Sequence, residues 1–142
     1  MTPKNPAKPT ASELEILRVL WGRGPSTVRE VHEALSRKRP IGYTTVLKLL
    51  QIMTTKGTVR RNEGQRAHVY EARLPAEKTK RQLAADVLHR VFGGSASELM
   101  LHALDQTGDR SAALASFARR VSDSEAEVLR RALESLGELP RD

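Results

Sequence analysis

Cysteine is missing from all 142 residues, so the chain has no disulfide frame, thiolate metal site or cysteine nucleophile. Aromatic residues are scarce, with one Trp, two Tyr and two Phe. That argues against a large solitary core, although Leu, Val and Ile are frequent enough to exclude a wholly disordered chain. No apolar run approaches the roughly 18 to 20 residues that span a bilayer, and the stretch from Met1 to Pro6 lacks the apolar core of a signal peptide. The expectation is a cytoplasmic protein with no membrane insertion, built as one ordinary domain or two small ones. His32, His68, His89 and His102 show no metal-site spacing, and the sequence contains no Gly-x-Ser-x-Gly elbow, P-loop or Gly-x-Gly-x-x-Gly turn. No enzyme, metal or cofactor is expected.

Acidic residues are also unevenly supplied. Residues 1–75 carry 14 Lys and Arg against 6 Asp and Glu, an excess of eight, while residues 76–142 carry 10 against 11. The formal net charge of +7 therefore comes from the first half. A basic head joined to a near-neutral second half suggests binding to a polyanion, with another task for the remainder, such as pairing with a second chain.

The first nine residues, with Pro3, Pro6 and Pro9 among lysines, read as a disordered basic arm. Thr10 and Glu13 have capping-box spacing and open a helix with Leu14, Leu17 and Trp21 as its stripe, which Gly22, Gly24 and Pro25 end. Thr27 and Glu30 open a second helix, with Val28, Val31 and Leu35 on one face. In a third helix Val46, Leu49, Leu50 and Met53 fall at i, i+3, i+4 and i+7, and Gly57 ends it. Another side of this helix presents Thr44, Lys48, Gln51 and Thr55, and no acid occurs between Pro40 and Asn62. Residues 58–61 and 67–72 read as two strands joined by a turn in which Gly64 supplies a positive φ. Three helices and a hairpin are winged-helix order. Beyond Pro75 only helical patterns remain, punctuated by Gly93-Gly94, Ser95, Gly108 and Ser122. These helices are too short and too thinly apolar for a robust monomeric core, which points to a second copy of the chain.

In the third helix Thr44, Thr45, Lys48 and Gln51 can donate to phosphates and base edges in a major groove, Tyr43 is either a phosphate donor or a first-turn packing residue, and Arg60, Arg61 and Arg66 make either a basic wing on phosphate or charged strands that protect a sheet edge. The dimer seam is expected at Leu83, Val87, Leu88, Val91, Phe92, Leu101, Leu104, Leu129, Leu133 and Leu136. The first five could instead line an effector pocket. From the residues alone, the other class of function is a basic interaction module that docks an acidic protein or RNA.

Leu14-Glu-Ile-Leu-Arg-Val-Leu-Trp21, Tyr43-Thr-Thr-Val-Leu-Lys-Leu-Leu50, Lys56-Gly57 followed by Val59-Arg-Arg61, His68-Val-Tyr70 and Phe92-Gly-Gly-Ser95 together resemble the penicillinase-repressor family of bacterial winged-helix regulators. The match covers roughly residues 10–137. The resemblance implies a mainly α fold with a small β-hairpin: a winged helix-turn-helix over residues 10–75 and a helical dimerisation region over residues 76–142. It also implies a homodimeric repressor on palindromic double-stranded operator DNA, removed by an upstream signal. In antibiotic-sensing members a membrane receptor triggers proteolysis in the C-terminal half, between an Asn and a Phe. The matching positions here hold His102 and Ala103, so a protease that reads that pair is expected to leave this chain intact. Release by copper at C-terminal cysteines is excluded, and the segment 106–120 has no assigned role.

Overall fold

The structure, a computed structural model, describes residues 8–64 and 66–137. The expected basic arm lies outside the described residues except for Lys8 and Pro9. The elements are α1 (Ala11–Arg23), β1 (Ser26–Thr27), α2 (Val28–Ser36), α3 (Tyr43–Lys56), β2 (Val59–Asn62), β3 (Val69–Ala72), α4 (Ala76–Arg90), α5 (Ala96–Asp105), α6 (Arg110–Ala118) and α7 (Asp123–Gly137). The chain forms two compact units, residues 1–85 and 86–142. The division falls inside α4, later than the change of pattern at Pro75, and Thr79 in the second turn of α4 is buried.

Local chemistry sets the helix starts. The Glu13 amide donates to the Thr10 hydroxyl at 3.2 Å, and the Thr10 amide donates back to the Glu13 carboxylate at 3.4 Å. Thr27 and Glu30 make the same reciprocal pair at 3.2 and 2.9 Å. Each box satisfies amides that a helix start leaves without partners. α1 runs through Gly22 and stops at Gly24, whose φ of 87° suits only a residue without Cβ. Gly57 closes α3 in the same way at φ 84°.

Three expectations need correction. The buried stripe of α1 is Ile16, Leu17 and Leu20, with Leu14 and Trp21 half-buried beside it. The pattern is rotated because Glu13 also goes inward. The sheet has three strands in the order β1-β3-β2, all antiparallel, with Ser26 opposite Tyr70 and Val59 opposite Ala72. β1 escapes a periodicity search because it is two residues long. It forms because the extended backbone that Thr27 needs as an N-cap also presents it to β3. Gly64 has no positive φ. The link between β2 and β3 is long enough to need no mirror-image turn, and the Gly64 amide donates to the Asn62 side chain at 2.9 Å instead.

The core of the first unit joins Ile16, Leu17 and Leu20 of α1, Val28, Val31 and Leu35 of α2, Val46, Leu50 and Met53 of α3, Val59 of β2 and Tyr70 of β3. Leu49 lies at its edge. The second unit is a set of helices closed by local caps: Ser95 accepts from the Glu98 amide at 3.2 Å, Asp109 from the Ala112 amide at 2.9 Å, and Ser122 from the Glu125 amide at 3.3 Å. Among the described residues, α5, α6 and α7 bury no side chain fully. No helix among the described residues is long and apolar enough to cross a membrane.

Candidate nucleic-acid interface

α3 is anchored by one face and free on the other. Val46, Leu50 and Met53 are completely buried, while Tyr43, Thr44, Thr45, Lys48 and Gln51 are exposed. With 14 residues, α3 extends about 20 Å, enough to lie along a major groove. Thr55, last in the polar row, turns its hydroxyl back to the Gln51 carbonyl at 3.2 Å. Lys48 has no ion-pair partner among the described residues, and neither does Arg66. Gly42 caps α3 without a side-chain hydrogen bond, so this helix opens with unclaimed amides.

Two residues that the sequence reading did not single out for binding hold the approach to α3. The His32 ring donates from Nε2 to the Ile41 carbonyl at 2.9 Å and meets the Tyr43 ring edge-on at 5.7 Å. Arg39 grips Glu15 with two parallel bonds of 3.0 Å, tying the turn before α3 to α1. The Arg39 hydrogen bond holds the Glu15 carboxyl below the ordinary carboxylate range, against partial desolvation. Neither pairing is visible in the sequence, because both join residues that are neighbours only after the α2–α3 turn has formed.

The structure separates the three arginines of the wing. Arg60 faces away from the Val59 side of β2 and pairs with Glu71, its direct cross-strand neighbour. Arg61 lies on the Val59 side, opposite Tyr70, and pairs with Glu63. The neighbouring Tyr70, and then Glu63, raise the Arg61 pKa above its ordinary value. Arg66 is exposed in the loop that follows. Between the helices and the hairpin runs an open groove of about 490 Å³, lined by Thr27, Val28, Arg29, Tyr43, Leu47, Ala67, His68 and Tyr70. One face of the first unit therefore carries a hydroxyl and amide row on α3, a lysine with no ion-pair partner among the described residues, and a concave path to the hairpin.

The residues expected at a dimer seam lie in α4, α5, α7 and the turn after α4. Leu83 belongs to the first compact unit and the others to the second. Leu83, Leu88, Phe92 and Leu104 are half-buried, whereas Val87, Val91, Leu101, Leu129, Leu133 and Leu136 are exposed, Val91 by 69% and Leu133 by 68%. His102 and Ala103 sit exposed within α5, and the Phe92 and His102 rings meet at 5.3 Å.

Residues 9–135 match the family described as Penicillinase repressor. The chain is 37% identical over 125 residues to the "Transcriptional regulator BlaI" of Mycobacterium tuberculosis (strain CDC 1551 / Oshkosh), covering 87% of this chain and 81% of that protein. The protein of the same name from strain H37Rv matches to the same extent. Among solved structures, the "Solution structure of the DNA binding domain of the repressor BlaI" aligns with a TM-score of 0.47 at 23% identity, covering 52% of this chain and 90% of that one. The chain belongs to the penicillinase repressor family of transcriptional regulators.

Proposed function

We propose that this chain is a DNA-binding transcriptional repressor of the cytoplasm that occupies a palindromic operator as a homodimer. The first domain, residues 10–75, reads DNA, and residues 76–142 pair the two copies. The observation that carries this reading is α3: one face is locked into the core by Val46, Leu50 and Met53, and the other offers Thr44, Thr45, Lys48 and Gln51 to solvent with no acid among them. Such a face suits base edges and phosphates together. The hairpin supplies Arg66, and Arg60 and Arg61 once they leave their carboxylates. The exposed apolar side chains of α5 and α7 support pairing with a second copy, because burial of apolar surface favours association. A bond between His102 and Ala103 lies inside a helix and lacks the Asn-Phe pair, so release of this repressor does not run through a protease of that recognition.

The test is a binding titration of the full chain on a duplex that it has selected from a random-sequence library. Affinity falls linearly in log–log form as salt rises, with a slope near 0.9 per phosphate contacted. Lys48→Ala weakens binding and flattens the slope by about one contact. An affinity indifferent to salt overturns the reading.

A further inference from the structure

Only two acids lie between Pro40 and Ala72, Glu63 and Glu71, and each is spent on an arginine of the wing. Glu71 stands directly across the strand pair from Arg60. Glu63, two residues beyond Arg61, meets it on the hairpin. Arg60 and Glu71 side chains are 66% and 32% exposed, and those of Arg61 and Glu63 are 36% and 58% exposed, so all four are open to exchange with a ligand. Lys48 and Arg66, on the same head, have no such partners among the described residues.

We propose that Glu63 and Glu71 act as internal stand-ins for phosphate, restraining the affinity of the wing arginines for DNA. This rests on the DNA-binding reading above. An arginine already neutralised by a carboxylate gains less from a phosphate, because it must first give up one anion to take another. The released carboxylate then stands close to a polyanion. Non-specific binding depends almost wholly on phosphate charge. Operator binding also draws on base contacts from α3, which the wing acids do not touch. Wherever the wing meets phosphate this exchange costs the same, so the wing pairs lower affinity for random DNA and for the operator by a similar factor.

The experiment compares the full chain with its Glu71→Gln and Glu63→Gln variants on a random-sequence duplex and on the duplex selected from a library. At about 0.1 M salt each variant binds both duplexes roughly 3- to 10-fold more tightly and shows a log–log salt slope steeper by up to about 0.9. A gain of affinity does not arise from a damaged fold, and Glu63, on the loop, gives a variant outside the strand pairing. Placing Glu71→Gln in an Arg60→Gln background abolishes the gain, because the effect runs through the arginine. Unchanged affinity and slope on random DNA overturn the proposal, and so does a gain that persists without Arg60. A wild-type chain that binds no duplex at all overturns the DNA-binding reading itself.

Discussion

Glu13 and Lys56 meet across the trihelical core, one from the first turn of α1 and the other from the last residue of α3, with the ammonium 2.7 and 3.1 Å from the two carboxylate oxygens. The Glu13 side chain is 3% exposed and that of Lys56 32%, so the carboxylate suffers most if the pair is broken. Lys56→Met leaves a buried anion without its cation and costs about 3 kcal/mol in chemical denaturation. Adding Glu13→Gln to that variant recovers part of the loss, and a single-variant loss near zero would mean that solvent already screens the pair. On the exposed face of α3, Thr44→Ala and Gln51→Ala each remove roughly 1 to 3 kcal/mol of discrimination between the selected and a random duplex if their side chains read bases. Equal losses on the two duplexes place them on the backbone instead. Single residues were read from the sequence with mixed success for a physical reason. The exposed row of α3 follows from helical period alone. The inward turn of Glu13 depends on a lysine 43 positions away, and the hold of His32 on Ile41 depends on a turn whose path no local pattern fixes.

At the scale of elements, capping chemistry was the most dependable guide, because a cap is satisfied within four residues and needs no tertiary partner. Thr10, Thr27, Ser95 and Ser122 all start helices where the sequence places them. The core faces of α2 and α3 were equally readable, since one uninterrupted stripe faces one core. β1 and the conformation of Gly64 were not, because a two-residue strand and an open hairpin loop are defined by what they pair with. The box at α2 also has a pH signature. The Thr27 amide, then its hydroxyl, then Arg23 hold the Glu30 carboxyl below its ordinary value. A carboxylate whose folded value is lowered stabilises the fold above its unfolded value and loses that contribution as the pH falls through the folded one. Glu30→Gln therefore loses stability near neutrality and approaches the wild type in acid, which a series of thermal melts from neutral pH downward follows. Parallel curves for the two proteins across that range would show that the box carries no titrating contribution.

For the whole molecule, the contrast between its two units sets the expected behaviour of fragments. The first unit has a closed core running from Ile16 to Tyr70, whereas the helices beyond α4 bury no side chain fully among the described residues. A fragment ending at Ala85 folds as a monomer and binds a half-site weakly, while the full chain sediments as a dimer at micromolar concentration. A monomeric full chain refutes the dimer. The loss in the fragment comes from losing the second contact with DNA, since linking two half-site readers raises the effective concentration of each. The excess of positive charge in residues 1–75 was plain from composition, as was the thinness of the second half. Under the proposed pairing, the exposed apolar side chains of α7, Leu133 and Leu136 among them, also tie repression to gene dosage. Where the DNA-binding form assembles from two free copies, its amount at low expression grows with the square of the amount of protein. Halving synthesis then removes about three quarters of the assembled form, and a promoter under this protein escapes abruptly as cells grow and divide faster than they replace it.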